Sequence, residues 1–257
     1  MAPTNGFKGE MLAARAKATG IHLALSCLAV GLLALSMWLV WYRPPYFRLD
    51  GGWHVLRILV LVDVVLGPLL TFIVFNRAKP ELRRDLVIIA AIQVCAFVYG
   101  AGTMYLHRPV FAAAAQGNLY CVNWRDLGKA GGDLTGAGKL AQDGKPPVFV
   151  HVALPADAAE RAAMWKAAGS GGPLPIHQAA LFEAMTTQHW DALLRPETRV
   201  EELAKNDAGV AVELARVRAA HPALPFARMA FVPLSCRYGV VLTVFDRETH
   251  AMIDWMD

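Results

Sequence analysis

Three long apolar runs fill the first 106 residues, and a mixed, patterned texture follows them. The runs cover 21–40, 55–75 and 86–106. Each is about 20 residues, which as a helix reaches roughly 30 Å, the hydrocarbon thickness of a bilayer. The first and third contain no Asp, Glu, Lys or Arg; the second carries Asp63 near its middle, followed by Gly67 and Pro68. The pattern predicts three transmembrane helices within a domain of residues 1–106.

Beyond residue 106 the period changes. VFVHVAL (148–154) alternates and is β-branched, as a strand is. PADAAERAAMWKAAG (155–169) opens with Pro and closes with Gly, as a helix does. The Gly-rich stretch 128–147 reads as a loop, and helices are expected over about 176–194 and 198–220. RMAFVPLS, YGVVLTVFD and HAMIDWM read as strands, the last two joined by the short turn DRET. The expected fold class is a membrane protein: three N-terminal transmembrane α-helices, then a small α+β domain over 107–257 with a C-terminal β-hairpin. That domain is long enough for its own core.

Composition and charge sharpen this picture. The chain is 56% hydrophobic, above the range of soluble domains. Its net charge of +4 is unevenly placed: residues 1–106 hold ten Lys/Arg and five Asp/Glu, residues 107–257 fifteen and sixteen. The basic excess belongs to the membrane part, where it sets orientation; no nucleic-acid partner is expected. Lys8, Arg15 and Lys17 precede the first span, and Arg77, Lys79, Arg83 and Arg84 lie between the second and third. Arg43 and Arg48 stand against Asp50 between the first and second. The positive-inside rule puts the N-terminus and the 76–85 loop in the cytoplasm, and 107–257 on the far side. The basic lead-in also suits a signal sequence cut after Ser36. The closing WLVWYRPP is instead an interfacial aromatic anchor and favours a retained helix.

Candidate chemistry centres on the second span. Asp63, Gly67 and Thr71 are spaced i, i+4, i+8 and share one helix face. Gln93, Phe97 and Gly100 on the third span and His22 and Ser26 on the first could meet it, since small residues let helices approach and polar groups then bond across the contact. Three readings stand. Asp63 pairs with Gln93, His22 or a neighbour and holds the bundle together; or the face receives a partner helix, with Pro68 bending the span and freeing a carbonyl; or it belongs to a proton or ion path. Cys27 and Cys95 fall within spans. Cys121 and Cys236 flank the outer domain and are a possible disulfide if that compartment oxidises thiols. No C-x-x-C is present. The other histidines, among them His151, have no metal-ligand spacing, and no Walker, G-x-S-x-G or H-E-x-x-H motif occurs. Catalytic residues, a metal and a cofactor are therefore not expected.

The order of several motifs resembles a known family. KATGIHLALS (17–26), WYRPPY (41–46), LVDVVLGPLLT (61–71), RRDLVIIAAIQVCAFVYG (83–100) and RPV (108–110) are similar to the TfpX/TfpZ group of type IV pilin accessory proteins. The resemblance covers residues 15–110 and is specific in VD-x-x-LGP-L-T and DL-x-x-I-x-x-x-Q; the outer domain matches only in outline. It implies a non-enzymatic, multi-pass protein of the bacterial inner membrane, with 107–257 in the periplasm, acting as a chaperone for the major type IV pilin. A pilin carries one apolar N-terminal helix and an external head. The residues expected to touch it in the bilayer are Asp63, Gly67, Pro68, Thr71, Gln93 and Gly100, or alternatively Asp85 with Arg83 and Arg84 nearer the cytoplasmic surface. The oligomeric state is not readable. One rival is a membrane-anchored periplasmic sensor or accessory subunit of another secretion machine; a second is an enzyme with a reactive Cys236.

Overall fold

The computed structural model describes residues 4–142, 144–194 and 200–257. The chain divides into two compact units: one runs to Phe47 and resumes over Gly51–Leu106, the other joins Arg48–Asp50 to His107–Asp257.

The first unit holds three helices long and apolar enough to cross a membrane: Gly9–Trp41, Gly52–Val74 and Leu82–His107. The first extends well before residue 21, because its Ala-rich lead-in continues the helix without a breaker. Large apolar side chains such as Leu28, Ile58, Leu69 and Val98 point outward, as lipid-facing positions do. The interior is small: Leu33, Met37, Tyr42, Leu59 and Met104 form one cluster. Tyr42 OH donates to the Met104 carbonyl at 2.9 Å, which satisfies a buried phenol and ties the end of the first span to the third. Gly100 lies so near Leu59 that a Cβ there would sit 2.7 Å from Leu59 Cδ2. Arg15 Nε donates to the carbonyl of Phe75 at 2.7 Å, closing the last turn of the second span from the first.

Two stretches, Met37–Trp41 and Val60–Leu66, are π-helical. The second directly precedes Gly67 and Pro68. Proline has no N–H and crowds the preceding turn, and a widened turn is one way a helix absorbs that.

The second unit is a seven-stranded mixed sheet in the order β4-β3-β1-β2-β5-β6-β7. The strands are β1 (Phe111–Ala115), β2 (Asn118–Val122), β3 (Val148–Val152), β4 (Phe182–Ala184), β5 (Met229–Cys236), β6 (Gly239–Asp246) and β7 (Met252–Met256). β1 is antiparallel to β2 and parallel to β3; β2 is parallel to β5; β5, β6 and β7 form an antiparallel meander. On one face Val122 and Phe182 of the sheet pack with Leu127 and Ile176, and further along Phe231 and Val244 pack with Leu214 and Val217 of the helix Ala208–Ala220. The sheet curls strongly toward the other face. Phe149 of β3 and Phe245 of β6 are separated by three strands, which in a flat sheet means about 19 Å. Their ring centroids are 5.6 Å apart, with Trp190 against both. Ala112 and Ala114, fully buried between them in strand order, leave room for the curl.

The β6–β7 hairpin agrees with expectation, and its turn has a local cause. Asp246 accepts from Glu248 N and Thr249 Oγ1, and Arg228 donates to the same carboxyl at 2.7 Å. The helix Ala158–Gly169 is capped by Asp157, which accepts from Glu160 N. Three regions differ from the sequence reading. FAAAA is a strand, although alanine is a poor strand former, because both of its faces are covered. The stretch 128–147 contains helix, Trp124–Ala130 entering it and Thr135–Gln142 lying inside it, the first capped by Asn123. The expected helix over 176–194 is two 3₁₀ turns, β4 and the helix Thr187–Leu193. The expected 198–220 helix is Val200–Asn206 and Ala208–Ala220, broken where Asp207 caps the second; residues 198 and 199 lie outside the described residues.

Cys121 and Cys236 form a disulfide between β2 and β5, with Cα atoms 4.8 Å apart and a sequence separation of 115. Closing a loop of that length restricts the unfolded chain by about 4–5 kcal/mol in the chain-entropy treatment. Urea unfolding of the full chain in detergent, followed by tryptophan fluorescence, is expected to show Cys121→Ser/Cys236→Ser destabilised by up to this amount. Reductant should move the wild type to the same midpoint and leave the double variant unmoved.

Candidate functional site

The polar stripe of the second span sits under a groove of about 530 Å³ between the first and third spans. Ile21, Leu25 and Ser26 form one wall, Ala90 and Val94 the other, and Asp63 and Thr71 the floor. The walls are open: Leu25 and Val94 are each more than half exposed. The floor is not. Asp63 is 5% exposed, Thr71 3% and Gln93 9%.

The hydrogen bonds on this floor differ from the simplest expectation. His22 Nδ1 and Thr71 Oγ1 share a bond at 2.6 Å. Gln93 Nε2 donates to the carbonyl of Val62 at 3.3 Å. That carbonyl also accepts from Gly67 N within the π-helical turn. Thus the two side chains expected to pair with Asp63 bond elsewhere. Asp63 Oδ2 and Gln93 Oε1 are buried with no hydrogen-bond partner. Gly67 is what admits Gln93: a Cβ at residue 67 would lie 1.7 Å from Gln93 Nε2. Pro68 is buried beside it. Gly100 lies elsewhere on the third span, against Leu59 rather than on the floor. Asp85, the alternative acid, is paired with Lys79, and Arg84 pairs with Glu81 at 2.7 Å.

The second unit has two further polar clusters. His151 and His189 stack at 4.0 Å beside a cavity of about 580 Å³. Burial, and then the neighbouring ring of His189, hold His151 below the ordinary imidazole value. His189 Nδ1 accepts from Thr186 N and completes a capping box, a local structural task. A smaller cavity of about 270 Å³ is lined by Asp50, Asp126, His177 and Arg237 next to the Cys121–Cys236 bridge. Asp50, from the segment linking the first two spans, is pushed up to about 7 by desolvation, against the opposing pull of Arg237. The backbone N–H of Tyr238 donates to Leu49 O at 2.9 Å and holds that segment in place. Cys236 is bridged and so is not a free nucleophile. Among the described residues, no group of three or more His, Cys, Asp or Glu could hold a metal.

Three apolar helices with a polar-floored groove, joined to a mixed sheet domain, define a membrane-anchored protein. Comparison with known proteins gives the class a family. The family of the fimbrial assembly protein FimB matches residues 10–51. Over 97 residues the chain is 42% identical to the fimbrial assembly protein of serogroups C1 and C2 from Dichelobacter nodosus, covering 37% of this chain and 74% of that protein. It is 42% identical to the serogroup I protein and 41% to the serogroup E1 protein of the same organism, spanning 38% of the length of each. The chain belongs to this fimbrial assembly protein family, whose members are named for a role in pilus biogenesis. No solved structure matches it.

Two outcomes follow from these geometries. Gly67→Ala should displace the Gln93 amide and lower thermal stability in detergent by about 1 kcal/mol, the usual worth of one hydrogen bond. In Gln93→Ala the same change should have little further effect, a non-additivity that reports the contact. Asp50 binds a proton in the folded chain up to about pH 7, whereas the unfolded chain releases it near 3.8. The folded state therefore holds more protons between these values, so stability falls as pH rises from about 4 to 7 and levels above that. Asp50→Asn should remove the slope and stabilise the chain at pH 8, measured by urea melts across that range.

Proposed function

We propose that this chain is a non-enzymatic accessory factor of type IV pilus biogenesis in the bacterial inner membrane. Its N-terminus lies in the cytoplasm and residues 107–257 in the periplasm. It acts as a chaperone for the major pilin, receiving the pilin's apolar helix in the groove between the first and third spans and supporting its stability or its entry into the fibre.

One observation carries the reading: an open groove between apolar helices whose buried floor presents an acid and an amide with unpaired oxygens. A bundle that used Asp63 only as internal glue would have given that carboxyl a partner, since lipid supplies none. Family membership and the relatives' names support the link to fimbrial assembly. The TfpX/TfpZ-like motifs support type IV pilin as the partner, and the loop charges support the orientation.

The test is site-specific photocrosslinking in native membranes, with the probe at Leu25 or Val94 and at Ile58 as a lipid-facing control. Pilin should be captured from the two groove positions and not from Ile58, and Asp63→Asn should weaken capture at unchanged protein level. Capture only from positions in the outer domain, such as Val212, would move recognition there. No pilin captured from any position would favour the rival sensor or secretion-subunit reading.

A further inference from the structure

We infer that the groove selects a membrane helix that presents an amine, or another nitrogen-bound proton, at the level of Asp63. The inference rests on the reading that the groove receives a helix, and it states what chemistry that helix must bring.

The argument is a count of donors and acceptors. Asp63 and Gln93 are each more than nine-tenths buried and both line the groove. Their unpaired atoms, Asp63 Oδ2 and Gln93 Oε1, are both oxygens that accept and cannot donate when the acid is ionised. No donor among the described residues reaches either oxygen. The Gln93 amide N–H is on the Val62 carbonyl, and His22 and Thr71 hold each other. Hydrocarbon offers no water to take their place, so the missing donor comes from the occupant.

The same count excludes alternatives. An aliphatic side chain at this level leaves both oxygens orphaned. An acidic one adds a third acceptor and a like charge. An ammonium has three protons in a compact head and can meet acceptors from two spans together; with Asp63 ionised it also compensates that charge. A groove of about 530 Å³ accommodates side chains of a helix laid along it, one of which reaches the floor. Selectivity thus comes from one polar position in an otherwise apolar contact, where a mismatched group has no solvent to fall back on.

The test uses the full chain in proteoliposomes and synthetic Leu/Ala helices of about 20 residues, long enough to span. Each helix has Lys, Asn, Leu or Glu at its centre. Capture is read from a photoreactive group at Val94 and normalised to one at Ile58. The expected order is Lys, then Asn, then Leu, with Glu last and Lys about tenfold above Leu, a difference of about 1.4 kcal/mol. Asp63→Asn should level Lys with Asn, and Gln93→Leu should reduce the Lys preference. These peptides probe the wild type directly, so a poorly folding variant does not block the answer. Equal capture of the Lys and Leu helices, or preference for Glu, overturns the inference. If pilin is still captured from Leu25 and Val94 in native membranes, the groove reading survives that result. If pilin is not captured there, the reading itself fails whatever the peptides show.

Discussion

Hydrocarbon supplies neither donors nor acceptors, and this scarcity orders the first unit. Several polar groups placed among the spans are met by another part of the chain. Tyr42 is met by the Met104 carbonyl, the end of the second span by Arg15, and Thr71 by His22. Gln93 reaches the carbonyl of a π-helical turn, which exists next to a proline that an ordinary turn would have crowded. These bonds run between spans, so they fix which helices meet and at what height. Apolar packing alone could not, because the lipid is as good a neighbour as another leucine. Against that background the unmatched oxygens of Asp63 and Gln93 stand out as acceptors in search of a donor.

Much of the architecture was legible because it rests on local period. The spans announce themselves by length, the helix Ala158–Gly169 by the proline before it and its closing glycine, and the last strands by alternation and the turn DRET between them. What escaped depends on contacts distant in sequence. The alanines of β1 form a strand because the sheet folds over on itself until Phe149 meets Phe245, and bulkier residues would have obstructed the curl. The glycine-rich 128–147 region is partly helical through caps and packing that overcome weak propensity. Residues 176–194 follow a helical spacing in sequence, yet β4 is drawn into the sheet by pairing with β3.

The floor of the groove was legible as a face but not as a network. Periodicity placed Asp63, Gly67 and Thr71 together, and Gln93 and His22 were the evident polar neighbours. The pairing could not be read, because it turns on distances of an ångström: Gln93 lies over Gly67 and is steered to Val62, and His22 sits at the height of Thr71. Gly100 shares the period of Gln93 but serves a different contact, the approach of Leu59. Asp50 gave no signal at all. Its raised affinity for a proton comes from burial in the second unit, and in sequence it is one acid in a short connecting loop.

The Tyr42–Met104 bond clasps the first and third spans at one end, while the groove between them stays open along its side. A fissure of that kind is reached sideways. On the proposed reading, a helix already resident in the bilayer drifts into it within the plane of the lipid, keeping its own ends at their proper heights. Neither molecule then has to be lifted out of the membrane for the two to meet, and the encounter becomes a search in two dimensions rather than three.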